Sequence, residues 1–148
     1  MKIILYQPLI PQNTGNIART CCVTKTGLIL VRPYGFSLSS RFLKRAGLDY
    51  WDDIKVEEIE DLEKFLQTSS YPFYFFSSKA KKLYTDIKYE QECFFIFGNE
   101  TSGLPPYYFE KWPDKFVTIP MKKKERCLNL SNTVAIAIYE ALRQQAIN

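Results

Sequence analysis

Four short, continuously apolar runs constrain the fold more than any other feature of this 148-residue sequence. Amphipathic or polar stretches separate them, and the runs are Ile3–Tyr6, Leu28–Val31, Phe73–Phe76 and Cys93–Phe97. A strand with one face in water alternates apolar and polar residues, whereas a strand covered by helices on both faces is apolar throughout. The pattern therefore predicts an α/β protein built on a sheet whose strands are buried on both sides.

The stretches between these runs predict helices and two further strands, with no repeat, low-complexity tract or linker between them. We therefore expect a single domain over residues 1–148, long enough to bury a core without disulfides or a structural metal. The expected helices cover about Gly15–Thr26 with Gly27 as C-cap, Glu58–Gln67, Pro105–Trp112 and about Ser131–Gln145. The expected short strands are Ile54–Glu57 and Lys115–Ile119.

Composition excludes several classes of chemistry. The chain has no histidine, so catalytic His triads and His-ligated metals are ruled out. None of its four cysteines forms a C-x-x-C pair, and we expect no metal site. No signal peptide or membrane-spanning apolar run is visible, which favours a reduced, cytoplasmic location without membrane contact. The net charge of +4 points only weakly to a polyanionic partner.

A polar segment over residues 10–19 (IPQNTGNIAR) opens the first predicted helix, where backbone amides could bind an anion. It has neither G-x-G-x-x-G nor a phosphate-loop lysine, which argues against a dinucleotide or nucleoside triphosphate site. Arg19 lies one turn into that helix. Taken alone, Arg19 is consistent with an ordinary surface arginine.

Two further polar segments follow predicted strands. Residues 97–105 (FGNETSGLP) place an acid, Glu100, beside two glycines that allow close backbone approach, although turn formation alone would explain the glycines. Residues 119–132 (IPMKKKERCLNLSN) place Asn129, Ser131 and Asn132 where they would cap the last helix. The basic run between them is consistent with a solvated loop or with a phosphate clamp.

Together these segments resemble the SpoU branch of the SPOUT methyltransferases. The family motif N-x-G-N-x-x-R is similar to residues 13–19, and F-G-x-E-x-x-G-L-P is similar to residues 97–105. The third motif, I-P-M followed by S-L-N-L-S-N, is similar to residues 119–132, with Cys127 where the family usually has serine. The three motifs occur in order across nearly the whole chain.

The resemblance implies a SPOUT-type parallel sheet flanked by helices, with a deep C-terminal trefoil knot. It implies S-adenosyl-L-methionine as cofactor, held by main-chain groups of the loops around Phe76, Gly98, Ile119, Cys127 and Leu128. Arg19 would be catalytic, acting on a ribose hydroxyl directly or through a neighbouring phosphate. The site-organising or RNA-contacting residues would be Asn13, Glu100, Asn129, Ser131, Lys44 and Arg45.

Residues 11–16, 44–51 and 139–144 are most similar to the minimal TrmL-type members of that branch. Those consist of the catalytic domain alone and methylate the 2′-OH of the wobble nucleotide, C34 or U34, of certain leucine tRNAs. The implied partners are a tRNA anticodon stem-loop and a second copy of the chain. In the implied homodimer the first and last helices pack together, and Arg19 faces the partner's cofactor.

The sequence also names candidate contacts for these partners. Apolar dimer contacts are expected from Ile17, Cys21 and Val23 on the first helix and from Tyr139 and Leu142 on the last. Three basic stretches are expected to contact tRNA: Arg41/Lys44/Arg45, Lys79/Lys81/Lys82 and Lys122–Arg126. Alternative functions are methylation of another tRNA or ribosomal RNA position, a silent RNA-binding protein of this fold, and a small-molecule enzyme with a nucleotide cofactor.

Overall fold

The four apolar runs form the centre of a parallel sheet. The computed structural model describes residues 1–38, 54–122 and 127–146. Within them the sheet has six strands in the order β3-β2-β1-β5-β4-β6, and every neighbouring pair runs parallel. The strands are β1 Lys2–Tyr6, β2 Gly27–Val31, β3 Val56–Ile59, β4 Phe73–Phe76, β5 Phe94–Phe97 and β6 Phe116–Val117. The predicted α/β class is confirmed.

Helices cover both faces of the sheet, as continuously apolar strands require. On one face lie α1 (Pro11–Val23) and α4 (Leu130–Ala146), which also contact each other. On the other lie α2 (Leu62–Thr68) and α3 (Pro106–Lys111). Successive residues of a strand enter opposite cores, so that Ile3 and Leu5 pack under α1 while Ile4 packs towards α2 and α3. None of the described helices is long and apolar enough to cross a membrane.

The first helix differs from its prediction at both ends. It begins at Pro11, because the predicted polar turn is itself the first helical turn, with proline where its missing N–H costs nothing. It ends at Val23 with Thr24 as C-cap, and Lys25, not Gly27, adopts the left-handed conformation (φ 53°). Gly27 begins β2 instead, where an added Cβ would lie 2.8 Å from the Lys2 side chain.

The elements after β2 are also shifted relative to their predictions. Glu58 and Ile59 belong to β3, which ends two residues later than predicted, and α2 starts only after the N-cap Asp61. The carboxylate of Asp61 accepts a hydrogen bond from the Lys64 N–H at 2.9 Å, which fixes this start. The predicted last strand is reduced to Phe116–Val117. Lys115 belongs to a 3₁₀ turn over Pro113–Lys115, and Thr118 forms only an isolated bridge with Leu83.

The last helix matches its prediction to within one residue at each end. Val134, Ile138 and Ala141 are fully buried on its predicted apolar stripe, and the half-buried Leu130 packs against the same core. The Asn129 side chain accepts a hydrogen bond from the Ser131 N–H at 2.9 Å, so Asn129 caps the helix as predicted.

The strand order determines where a site can form. The chain adds β2 and then β3 on one side of β1. It then crosses to the other side, where β5 pairs with β1, β4 with β5 and β6 with β4. Open parallel sheets bind ligands outside the carboxyl ends of their strands, at the point where the order reverses. The loops that follow β1, β4, β5 and β6 therefore surround the expected site.

Candidate functional site

A cavity of about 700 Å³ lies at this reversal point. All five residues predicted to hold the cofactor line it, together with three of those predicted to organise the site: Phe76, Gly98, Ile119, Cys127 and Leu128, with Asn13, Glu100 and Asn129. They follow four different strands in the chain. The structure thus brings segments that are far apart in sequence into one cavity.

The floor of the cavity beside β5 requires glycine. A Cβ added to Gly98 would lie 2.2 Å from the carbonyl carbon of Gly103, far inside van der Waals contact. Gly103 has φ +67°, a conformation that side chains rarely adopt. Two backbone hydrogen bonds join Asn99 and Gly103, and the Asn99 side chain accepts from the N–H groups of Thr101 and Ser102. The turn is therefore folded tightly back on Gly98.

Glu100 joins this turn to the loop after β1. Its carboxylate accepts hydrogen bonds from the backbone N–H of Leu9 at 2.8 Å and of Ile10 at 3.0 Å. It also accepts one from the Asn13 amide at 3.3 Å. Hydrogen bonds to a charged carboxylate are strong, and three of them hold this side chain in place. Glu100 thereby ties the turn after β5 to the loop after β1 and to the start of α1.

Asn13 connects this carboxylate to the third motif. It is only 6% exposed, and its side-chain oxygen accepts a hydrogen bond at 3.0 Å from the amide of Asn129. Asn129 in turn accepts from the Ser131 hydroxyl at 2.6 Å. A continuous path of side-chain hydrogen bonds thus runs from Ser131 through Asn129 and Asn13 to Glu100, and it joins all three motif segments.

The sequence analysis placed the loop around Phe76, at the end of β4, beside the cofactor, but it did not name the side chains after Phe76 as part of the cavity. Ser77, Ser78 and Lys79 line it, and the Cys127 thiol lies 3.5 Å from the Ser78 hydroxyl. The signal was present, because these polar residues directly follow a buried strand and so must lie at the carboxyl edge of the sheet. Lys79 was predicted only as an RNA contact.

Two groups of predicted residues lie elsewhere. Arg19 is exposed on α1 and is not among the cavity-lining residues. Lys44 and Arg45 lie outside the described residues, as do Arg41 and residues 123–126 of the third basic stretch. Lys82, from the second basic stretch, lies close to the rim of the cavity. The Lys82 carbonyl accepts a hydrogen bond at 2.8 Å from the N–H of Thr118, which lines the cavity.

The cavity fits a nucleoside-sized cofactor. Its volume lies within the range of small-molecule sites, and its lining combines apolar side chains such as Ile119 and Leu128 with polar groups of the loops. Gly98 lines the cavity, and the Gly103–Leu104 backbone fills the space that its Cβ would occupy. In the part of the chain that the structure describes, Cys, Asp and Glu side chains form no cluster that could hold a metal ion.

Comparisons with known proteins identify the family. The model of the SpoU rRNA Methylase family matches residues 1–139. A protein of Geobacillus stearothermophilus is 46% identical over 152 residues, which cover 100% of this chain and 97% of the relative. A Methylovorus glucosotrophus protein named tRNA (cytidine(34)-2′-O)-methyltransferase is 42% identical, with 96% of this chain and 94% of the relative covered.

A solved structure that concerns the 2-OH methylation of C/U34 on tRNA is 37% identical to this chain. It superposes with a TM-score of 0.92 and covers 99% of this chain and 97% of that one. Because the family model matches nearly the whole chain and such relatives align along their full length, the chain belongs to the SpoU family of methylases.

Proposed function

We propose that this protein transfers a methyl group from S-adenosyl-L-methionine to the ribose 2′-OH of the wobble nucleotide of tRNA, C34 or U34, in leucine isoacceptors. The observation that most supports it is the single cavity in which all three motif segments meet and are joined by the Asn129–Asn13–Glu100 hydrogen bonds. The names of the full-length relatives support the substrate. The activity belongs in the cytoplasm, where tRNA is its partner.

The cofactor is assigned to the cavity. Phe76, Gly98, Ile119, Cys127 and Leu128 would enclose it, with the adenine against apolar side chains and its polar groups on exposed main chain. When bound, it supplies an electrophilic methyl group on a sulfonium. The protein's task is then to hold the ribose oxygen in line with that methyl group, and positioning of this kind accounts for much of the rate of a displacement.

Arg19 is assigned the catalytic role. Arginine is a poor general base in proteins, so we do not assign it that role alone. It would instead orient a phosphate of the RNA and stabilise negative charge as it develops on the ribose oxygen. Glu100 cannot share this role easily, because its carboxylate already accepts hydrogen bonds from Leu9, Ile10 and Asn13.

The position of Arg19 supports a homodimer in which it serves the partner's cavity. Arg19 is exposed and does not line the cavity of its own subunit. Two of the predicted apolar contacts are also exposed nearby, Val23 at 62% and Tyr139 at 57%. Ile17 and Cys21 are not available for this role, because both are fully buried in the core under α1.

We also propose that residues 1–148 form one domain with a C-terminal trefoil knot. On leaving β6, Thr118 pairs with Lys82 and Tyr84, yet α4 lies against α1 and β5. The chain therefore returns from the β6 edge of the sheet to the side of β5 and α1, as a C-terminal knot requires. Stretching the chain from its two ends in an optical trap tests this, because a tightened knot shortens the fully extended chain, whereas an unknotted chain reaches its full contour length.

Incubation with S-adenosyl-L-methionine and unmodified leucine tRNA, followed by mapping of 2′-O-methyl groups by mass spectrometry, tests the reaction. One methyl group at nucleotide 34, absent with the Arg19→Ala variant, is the expected result. Methylation at another tRNA or ribosomal RNA position would overturn the substrate and leave the chemistry intact. RNA binding without methyl transfer to any RNA would identify a silent RNA-binding protein.

Mixing two variants, assayed at a cofactor concentration too low to fill the Gly98→Ala cavity, tests the shared site. Arg19→Ala subunits keep the cavity, and Gly98→Ala subunits keep the arginine. If Arg19 acts across the interface, heterodimers regain one working site of two, or about a quarter of wild-type turnover after random exchange. If each subunit works alone, the mixture stays inactive. Light scattering that gave the 17.3 kDa monomer mass with full activity would also refute the dimer.

A further inference from the structure

A second cavity lies at the same edge of the sheet, over the carboxyl ends of β2 and β3. Its volume is about 660 Å³, and neither the motifs nor the proposed reaction uses it. The side chains that define it are Arg32, Tyr34, Phe36, Leu38, Glu58 and Glu60. It therefore combines two aromatic rings, one guanidinium and two carboxylates.

Glu58 fixes two of these side chains. One carboxylate oxygen accepts hydrogen bonds from both Arg32 Nε and the Tyr34 hydroxyl, each at 2.6 Å. These bonds from Arg32 and Tyr34 hold the pKa of Glu58 below its usual value, so it stays charged near neutral pH. Burial and the bond to Glu58 raise the pKa of Tyr34 to about 12, which keeps its hydroxyl a donor. The arginine and the tyrosine are thus held in place before any ligand arrives.

Two aromatic rings lie side by side in the lining. The rings of Tyr34 and Phe36 lie 5.1 Å apart at 40°, and both are half-buried while they line the cavity. Arg32 adds a planar guanidinium that is 53% exposed. Aromatic rings and arginine planes are the surfaces on which proteins stack unpaired RNA bases.

The charges of the lining indicate which part of an RNA would enter. Arg32 is balanced by Glu58, and Glu60 leaves the described lining with an excess of one negative charge. The amino groups of cytosine, adenine or guanine could donate to a carboxylate of this lining. The chemistry therefore suits the polar edge of a base.

The cavity lies within reach of the reaction site. The loop after β1 joins the two, since Gln7 donates to the Arg32 carbonyl at 3.4 Å and Ile10 lines the first cavity. With neighbouring strands about 4.8 Å apart, the two cavities are separated by roughly 15–20 Å along the sheet edge. A single-stranded RNA segment of a few nucleotides spans such a distance.

We propose that this second cavity is a nucleobase subsite, which stacks a base near the methylated nucleotide on Phe36 and Tyr34. The proposal rests on the proposed function, in that the substrate is taken to be RNA. It gives the protein a way to select its RNA by a base other than the one whose ribose is methylated.

A direct test uses anticodon stem-loop RNAs in which one loop base at a time is replaced by the fluorescent base 2-aminopurine. One position should change its fluorescence on binding to the wild-type protein because its stacking changes. Phe36→Leu removes the ring while keeping an apolar side chain, and it should abolish that signal and weaken RNA binding at least about fivefold, the lower end of what one stacked base contributes. Phe36→Tyr should keep both.

Matched carboxylate variants exclude a general effect on folding. Glu58→Gln should weaken RNA binding, because Arg32 and Tyr34 lose their charged acceptor. Glu63 is the control, since it accepts from Lys111 and from the Tyr107 hydroxyl in the same manner on the α3 face of the sheet. Glu63→Gln should leave RNA binding unchanged, and none of these variants should alter cofactor affinity in calorimetry.

The outcomes separate the subsite from the reaction. Equal RNA affinity and equal fluorescence for wild type, Phe36→Leu and Phe36→Tyr would overturn the subsite, and so would a wild-type protein that binds no RNA. A wild-type protein that shows the Phe36-dependent signal but methylates no nucleotide 34 would support the subsite and overturn the proposed function.

Discussion

Asn13 and Arg19 belong to one sequence motif and one helix, yet they lie in opposite environments. Asn13 is 6% exposed and hydrogen-bonded to side chains of both other motifs, whereas Arg19 is exposed outside the cavity. At 3.6 residues per turn, six positions separate them by about 120° around the helix. One sequence motif can thus supply two surfaces. One builds the subunit's own cavity, and the other is presented outward.

Removing Arg19 should have the largest effect on activity. Arg19→Ala is expected to lower turnover at least about 100-fold, or about 2.7 kcal/mol of transition-state stabilisation, with unchanged cofactor affinity. A tritiated-methyl assay and calorimetry with the cofactor measure the two effects. Arg143→Ala, which removes another exposed arginine, is the control and should keep most of the activity. Arg19→Ala turnover above about a tenth of wild type would show that the arginine is not catalytic.

Adding a side chain at Gly98 should damage the cavity instead. A Cβ there would overlap the Gly103 backbone, and overpacking of this kind costs about 1–3 kcal/mol of stability. Gly98→Ala is therefore expected to lower the free energy of unfolding by that amount and to weaken cofactor binding at least about tenfold. Gly35→Ala is the control, because its Cβ would meet nothing within 4 Å. Normal cofactor affinity in Gly98→Ala would show that the turn does not shape the site.

Cutting the hydrogen-bonded path should have an intermediate effect. Asn13→Ala removes one hydrogen bond from Glu100 and one from Asn129, at a cost of about 1–2 kcal/mol in urea unfolding. Asn16→Ala changes the same residue type on an exposed face of the same helix and should stay within about 0.5 kcal/mol of wild type. Equal stabilities of the two variants would show that the path contributes nothing to the fold.

Sequence patterns predicted the strands better than the loops, for a physical reason. A strand buried on both faces must be apolar at every position, so the runs at β1, β2, β4 and β5 were found to within a residue at either end. Polar turns are less distinctive, since Pro11–Thr14 resembles a loop and is helical only because Pro11 suits a first helical turn. Ile59 likewise fits a helical stripe but is fixed in β3 by pairing with Val31.

The sequence predicted most of the residues that line the cavity but not the contacts between them. Motif resemblance named eight residues that line the cavity, from Asn13 to Asn129. It did not show that Asn13 bridges Glu100 and Asn129, because such contacts depend on strand order. The second cavity had no sequence signal, since Arg32 and Glu58 meet only when β2 and β3 pair.

The smallest effect is expected from Cys127→Ser, which restores the residue usual in the family. Among the described residues, the thiol makes a weak contact with the Ser78 hydroxyl at 3.5 Å, and a serine hydroxyl of similar size can replace it. Cofactor affinity and turnover should change less than about twofold, because the cofactor contact assigned here is made by the main chain. A large loss of cofactor affinity would show that the sulfur itself binds the cofactor.

The same thiol can report whether the cavity is occupied. Cys127 is exposed and lines the cavity, whereas burial raises the pKa of Cys21 to about 12 and that of Cys93 to about 11. Because the thiolate is the reactive form, N-ethylmaleimide at neutral pH should modify Cys127 and spare Cys21 and Cys93. In a Cys22→Ser background, S-adenosyl-L-methionine should slow this reaction, and Arg19→Ala should be protected equally. The exposed position of Arg19 on α1 indicates that the arginine does not bind the cofactor. Protection in wild type that is lost in Arg19→Ala would contradict this and would show that the arginine contributes to cofactor binding.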